Sequence, residues 1–297
     1  MWLGEDEVRS LLRMEELIPA MVDALRDLSA GRVEQPVRLV LPVAEHKGFF
    51  GVMPAFGGGA LGAKLVTFYP GNTGLPTHHA IIQLFRPETG EPFVAMDGRL
   101  ITEMRTAAVS AVATDLLARR EVGVLAILGS GVQAQSHLEA LRIVRQFREV
   151  RVWSPRHAGE FAKKFGVSAA ASADEAVRGA DVVVVATAAT SPVLKGACLS
   201  PGTHINAVGA TRPNWRELDD ALLVRAKLYV ESREAATQES GDVIAAGQIF
   251  AELGEVLAGK KPGRENDTEI TLYKSIGVAV EDIASAALVY ERAIAAR

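Results

Sequence analysis

The most legible chemistry lies in the glycines of Gly129-Ser130-Gly131-Val132-Gln133-Ala134. They follow the apolar run Val124–Leu128 and precede a segment in which Leu138, Leu141 and Val144 recur at helical spacing. Strand, glycine turn and helix, in that order, suit a dinucleotide. Gly129 makes the tight turn, Gly131 lets the backbone approach a pyrophosphate, and Ala134 lets helix and strand pack closely. Ser130, Val132 and Gln133 surround the start of the helix, whose open N–H donors and positive dipole end favour phosphate. Glycine-rich turns also end ordinary strands, so the weight rests on the flanking pattern rather than on the glycines.

A dinucleotide site that prefers NAD usually ends its second strand with an acid for the ribose 2′-hydroxyl. Here the strand Val150–Trp153 runs into Ser154-Pro155-Arg156-His157, with no acid. Ser154 can donate to a 2′-phosphate and Arg156 can pair with it. The expected cofactor is therefore NADP(H), with NAD(H) second. Thr187, after the run Val182–Ala186, and Val208-Gly209-Ala210 fall at the carboxyl ends of further strands, where such a groove is lined.

Two cations stand out earlier. Lys64 shares a strand face with Val66 and Phe68. Burial there would lower its pKa towards the range of proton transfer, although a lysine snorkelling at a sheet rim fits equally well. Arg105 follows Thr102, read as a helix N-cap, and could converge with free N–H groups on one carboxylate. Arg38 could be a second carboxylate contact or a strand-edge residue facing water. Thr77-His78-His79 could reach the nicotinamide end of a cofactor. Two neighbouring histidines on alternating faces, with no third ligand at a sensible spacing, make a poor zinc site, and no metal is expected. His79 reads as a hydrogen-bonding site residue or a satisfied core histidine.

These residues need elements to carry them. Residues 6 to 29 read as an amphipathic helix. From Gln35 to Gly98, strands at Val37–Val43, Phe49–Pro54, Leu61–Tyr69, Ala80–Phe85 and Phe93–Met96 are cut by short turns. That pattern predicts an antiparallel sheet. A helix rich in small residues, Ala107 to Ala118, leads into alternating strands and helices. The expected fold is α/β: a Rossmann-type doubly wound parallel sheet at 119–275 beside an antiparallel α+β domain at 1–118. The last helix, read as Ser275 to Ala295, is expected to pack back on the first domain, so that 276–297 belongs with it.

The bulk figures exclude several classes. The 297-residue chain is 48% hydrophobic and 23% charged, an ordinary globular balance. A net charge of −4 and no basic run argue against nucleic acid. Cys198 is the only cysteine, so neither a disulfide framework nor a thiolate cluster is available. The run Val182–Ala186 is too short to span a bilayer. The acidic start Met1-Trp2-Leu3-Gly4-Glu5-Asp6-Glu7 does not read as a signal peptide. A cytoplasmic location is expected.

Longer motifs carry a family resemblance. They are Gly51-Val52-Met53-Pro54-Ala55-Phe56, Lys64-Leu65-Val66-Thr67-Phe68-Tyr69, Met96-Asp97-Gly98 and Arg105-Thr106-Ala107-Ala108-Val109-Ser110-Ala111. Further along come the turn Gly129–Ala134, His204-Ile205-Asn206-Ala207-Val208-Gly209-Ala210, the run from Arg212 to Asp220, and Glu239-Ser240-Gly241-Asp242. Over essentially its whole length the chain resembles the ornithine cyclodeaminase/mu-crystallin family, and within it the members that reduce ketimines with NADPH and also bind thyroid hormones.

The resemblance implies a homodimer built through the N-terminal domain and an active site between the domains. The implied activity is reduction of cyclic imino acids such as pyrroline-2-carboxylate or piperideine-2-carboxylate. Lys64 would polarise or protonate the imine nitrogen. Arg105, Arg38, Met53 and Glu239 would face the substrate, and Thr106 and Ser275 the cofactor. For Glu239 and Ser275 a loop residue or helix cap is an equal reading.

One departure discriminates among reactions. Where cyclodeaminases and related amino-acid dehydrogenases carry an aspartate after Asn-Ala-Val-Gly, this chain has Thr211. A threonine hydroxyl is no general base near neutral pH. Ammonia elimination is thereby disfavoured, while reduction of a preformed imine, which needs one proton, survives. Other possibilities are an ornithine cyclodeaminase-type lyase, an alanine-type dehydrogenase, and a non-catalytic carrier of NADP and an aromatic, thyroid-hormone-like ligand.

Overall fold

The computed structural model describes residues 1–296. The chain forms two compact units, one of residues 1–105 together with Gly277 onward, the other Thr106–Ile276.

In the first unit, β1 (Trp2–Leu3) precedes two helices, α1 (Glu5–Leu11) and α2 (Met14–Ser29). The single helix expected over 6–29 is therefore broken at Leu12-Arg13, where both residues are extended. Continuous apolar spacing hides such a break, because buried Val8, Leu12, Met14 and Leu17 keep nearly helical intervals across it. Strands β2 (Leu39–Val43), β3 (Gly48–Gly57), β4 (Ala60–Phe68), β5 (His78–Phe85) and β6 (Pro92–Asp97) follow. They form one sheet in the order β1-β6-β5-β4-β3-β2. Every pairing is antiparallel except that of β1 with β6.

Its two faces differ. Met53, Lys64, Ile82 and Met96 lie in one register row, all buried. They face the C-terminal helix Ala279–Ala295, whose buried Ala279, Ile283, Ala286, Val289 and Ala293 form a stripe at three- and four-residue intervals. The next row, Leu39, Val52, Leu65 and Ile81, lies on the opposite face. There Leu39 is 67% and Ile81 45% exposed, with Leu41 and Phe56 also open to solvent.

Helix α3 (Arg99–Leu117) starts well before the expected Ala107 and leads into the second unit. That unit opens with β7 (Val124–Leu128), α4 (Val132–Val144), β8 (Glu149–Trp153), α5 (Ala158–Phe165), β9 (Ser168–Ala169), α6 (Ala173–Val177) and β10 (Val182–Val185). It continues through β11 (His204–Ala207), α7 (Asp220–Arg225), β12 (Ala226–Val230), α8 (Arg233–Glu239) and α9 (Gly241–Ala246). Then come β13 (Ala251–Glu252), α10 (Leu253–Leu257) and β14 (Ile270–Lys274), before α11 (Ala279–Ala295) returns to the first unit.

The second sheet is parallel throughout, in the order β13-β12-β14-β11-β10-β7-β8-β9. Chain order reverses between β7 and β10, the switch point of a Rossmann-type doubly wound sheet. Strands β7 and β10 are buried at every position, which explains their unbroken Val, Leu, Ile and Ala composition. The long helix expected from Ser275 begins only at Ala279, so Ser275 sits directly after β14. Among the described residues no helix is long and apolar enough to cross a membrane.

Candidate functional site

In the first unit three cations gather about the first turn of α11. Lys64 Nζ lies 2.5 Å from Asp282 Oδ2, with both side chains almost wholly buried. Arg105 donates from Nε to Asp282 Oδ1 at 3.0 Å and from Nη1 to Glu281 Oε2 at 2.8 Å. Arg38 Nη2 donates to the Gly277 carbonyl at 2.6 Å. Gly277 has φ +70°, and a Cβ there would come within 2.5 Å of the Arg105 guanidinium. Glycine thus serves both the turn and the close approach.

Burial lowers the Lys64 pKa to about 8; Asp282 opposes that fall, and Arg105 and Arg38 add to it. Burial would raise Asp282, but Arg105 and Lys64 outweigh it and hold the carboxyl below its ordinary value. Lys64 is therefore a buried ammonium poised just above neutrality, a suitable proton donor to a weakly basic nitrogen. Snorkelling is excluded by its 2% exposure. Met53 is its cross-strand neighbour on β3.

The expected setting of Arg105 needs correction. It is not near the start of its helix, and Thr102 is no N-cap. Helix α3 begins at Arg99, whose amide donates to Asp97 Oδ1 at 2.9 Å, and Thr102, already within the helix, donates from Oγ1 back to Gly98 O. What holds the guanidinium is the carboxylate pair of α11. Glu281 and Asp282 escaped the sequence reading because they look like ordinary first-turn acids; only their complete burial marks them. Thr106 is buried beside Arg105. Thr77, His78 and His79 are exposed, and His78 stacks on Phe68 with ring centroids 4.4 Å apart. His79 is thus no core histidine; the buried ones are His137 and His204.

In the second unit the glycine turn fits a dinucleotide phosphate. Gly129 has φ +120°, and a Cβ there would lie 2.2 Å from the Ala186 carbonyl oxygen. Gly131, the N-cap residue of α4, is exposed, and a Cβ there would meet nothing within 4 Å. No side chain caps the helix, so the amides around Val132 and Gln133 present donors to an open cradle. Ala134 is fully buried. Beyond β8, Ser130 Oγ donates to Ser154 Oγ at 2.9 Å, while Arg156 is exposed.

Thr187 Oγ1 donates to Glu217 Oε1 at 2.6 Å and is half-buried. Val208 and Gly209 follow β11, and Ala210 holds a left-handed φ of +51° ahead of half-buried Thr211. Glu239 ends α8, half-buried. Ser275 is buried, and its hydroxyl donates to Glu231 at 3.0 Å. Among the described residues no three His, Cys, Asp or Glu side chains gather as a metal site would require.

Fold and sites together define a two-unit α/β protein with a dinucleotide cradle in one unit and a buried cationic cluster in the other. The chain belongs to the ornithine cyclodeaminase/mu-crystallin family, whose model matches residues 1–297. It is 51% identical to the ketimine reductase mu-crystallin of Mus musculus, over 98% of this chain and 96% of that one. The Δ1-pyrroline-2-carboxylate reductase of Thermococcus litoralis, solved with NADH and L-proline, has a TM-score of 0.95 and 41% identity, covering 100% of this chain and 98% of that one. An archaeal alanine dehydrogenase dimer with bound NAD has a TM-score of 0.94 and 38% identity, covering 100% and 96%.

Proposed function

We propose that this protein reduces the C=N bond of small cyclic imino acids, such as pyrroline-2-carboxylate or piperideine-2-carboxylate, with NADPH as reductant. The observation that carries the reading is the Lys64–Asp282–Arg105 cluster: a buried ammonium and guanidinium fixed by one carboxylate. The names of the relatives support the reaction class.

When bound, the nicotinamide supplies a hydride. The protein's own part is to hold the substrate carboxylate and keep the imine nitrogen protonated. Arg105, braced by Glu281 and Asp282, presents a fixed fork to that carboxylate, with Arg38 nearby in the same unit and Met53 lining the Lys64 row. Lys64 gives its proton to the nitrogen, and Asp282 stabilises the ammonium that is then restored. Thr211 stands in place of an acid, so this segment has no group to activate water. Gly129, Ser130, Gly131, Val132 and Gln133 hold the pyrophosphate, with Thr187 and Val208–Ala210 along the strand ends. Ser154 and Arg156 receive a 2′-phosphate, which is why NADPH is preferred to NADH.

The exposed row Leu39, Leu65 and Ile81 is covered by a second copy of the chain; a related alanine dehydrogenase is itself described as a dimer. The single cysteine and modest negative charge suit a reducing, cytoplasmic setting.

The test is nicotinamide oxidation followed at 340 nm with a cyclic imino acid, run beside ornithine and beside pyruvate plus ammonia. Turnover of the imino acid, with a KM for NADPH at least about tenfold below that for NADH, is expected. Ammonia release from ornithine would favour a lyase, and nucleotide binding without turnover a carrier.

A further inference from the structure

Beneath the carboxyl edge of the parallel sheet lies a buried charge cluster that the mechanism does not use. Glu217, Asp242 and Lys274 come from the segment before α7, from α9 and from the end of β14, and all three are at most 1% exposed. Glu217 Oε1 accepts from both the amide and the hydroxyl of Thr187, at 2.9 and 2.6 Å. Thr187 Oγ1 in turn accepts from the Ala189 amide at 3.1 Å. Lys274 Nζ donates to the carbonyl of Gly209 and, at 3.4 Å, to that of Ala207. Asp242 Oδ1 accepts from the amides of Glu217 and Leu218, both at 3.2 Å, and Asp242 Oδ2 lies 3.9 Å from Lys274 Nζ.

The cluster therefore grips two strand-end segments at once, one after β10 through Glu217 and one after β11 through Lys274. It grips them tightly. A Cβ on Gly209 would lie 2.5 Å from both Glu217 oxygens and from the Thr187 carbonyl. The same short stretch holds Ala210 at φ +51°, a conformation alanine keeps only when its surroundings impose it.

We propose that Glu217 and Lys274 are a coupled positioning pair that sets the backbone at 187–189 and 208–211, and thereby the nucleotide affinity of the second unit. This rests on the functional reading above.

Asp242 lies 3.9 Å from both Lys274 and Arg216, so Glu217 is the carboxyl left to take a proton. Burial drives Glu217 up to about 7, with Lys274 and Thr187 pulling it down and Asp242 pushing it further up. The other charged groups facing the cluster are Arg216, beside Asp242, and Glu231, which acts on Lys274. Above about pH 7 Glu217 is ionised and is attracted to Lys274 across the cluster without a direct ion pair, and the grip is complete. Below it, Glu217 is neutral and that attraction is lost.

The test uses the full-length protein and the variants Glu217→Gln, Lys274→Met and the double variant. Amide exchange in the nucleotide-free protein is followed in peptides covering 186–190 and 207–212, with Val124–Leu128 as the control. Each single variant is expected to speed exchange in the first two peptides about tenfold and to leave the control unchanged. The double variant, with no charge left uncompensated between the pair, is expected to recover part of the loss. Calorimetric NADPH affinity of the wild type should weaken as pH falls from 8 to 6, with the Gln variant flat at the weaker value.

Unchanged exchange in both single variants, or the same pH dependence in wild type and Glu217→Gln, would overturn the proposal. A wild-type protein that does not bind NADPH would overturn the functional reading and this inference with it. Normal wild-type affinity with unaltered variants overturns the inference alone.

Discussion

Lys64 shows how surroundings set the acidity of one residue. Alone on a strand it is an ordinary cation; with Asp282 at 2.5 Å and Arg105 on the same carboxylate it becomes a buried acid. Replacing it with Met should lower kcat at least about a hundredfold, the usual worth of a positioned proton donor. Asp282→Asn gives a sharper test. Asp282 supports the protonated form, so its removal lowers the Lys64 pKa further below about 8. The alkaline limb of the kcat profile, where activity falls as Lys64 loses its proton, should move to lower pH. An unmoved limb would show that Lys64 is not the group being titrated. Lys64 was legible as a candidate because a cation on an apolar face is costly and so noticeable, whereas Arg105 was picked out by a helix-start setting that it does not occupy. Their carboxylate partners were not. First-turn acids on a distant helix carry no local sign of burial, and the pairing joins residues 64 and 282.

At the scale of elements, the turn between β7 and α4 separates two uses of glycine. Gly129→Ala places a methyl against the Ala186 carbonyl in a backbone conformation side chains avoid. It should cost on the order of 3 kcal/mol, read as a lower Tm without nucleotide. Gly131→Ala meets open space at an ordinary φ of −84°. Its Tm should stay near wild type while NADPH affinity falls about tenfold or more, because the methyl occupies the phosphate's approach. If both variants lost only stability, the turn would be a packing device and not a cradle. The parallel strands β7 and β10 could be read from sequence because burial on both faces leaves an apolar run, and α4 because its apolar residues recur at helical spacing. Strand β14 could not. Thr271 and Lys274 interrupt its pattern, and both are buried by polar partners: Thr271 by His204, Lys274 by the carbonyls after β11.

For the whole molecule, pH should set stability through two histidines. His137 and His204 are fully buried, and burial lowers their pKa values to about 4 and about 3. Unfolded histidine binds its proton near 6.5. The stabilisation is thus fully present above about pH 6.5 and is lost as pH falls towards the folded values. Between pH 6 and 5 the two histidines bind nearly two more protons in the unfolded state than in the folded one. Glu217, held at about 7 in the folded state, takes up a proton there that its unfolded form does not, and offsets about half of this. Urea unfolding should therefore lose about 1 kcal/mol per pH unit in that range. A flat profile would mean that water reaches these rings. A second test at this scale concerns the open face of the first sheet. Leu65→Glu together with Ile81→Lys should convert a dimer to a monomer by light scattering with little change in kcat/KM; a wild-type monomer would sink the dimer. The two types of sheet were visible in the change from consecutive strands to alternating strands and helices. The break between α1 and α2 was not, since hydrophobic spacing runs through it.

The carboxylates that neutralise Lys64 and Arg105 arrive on the final helix of the chain. During synthesis the antiparallel sheet and the start of α3 emerge first, carrying two cations that cannot be buried without them. The first unit must wait for α11 before it can settle, whereas every strand of the parallel sheet has emerged by the end of β14. A chain truncated before Gly277 should consequently yield a protease-resistant fragment from the second unit and none from the first.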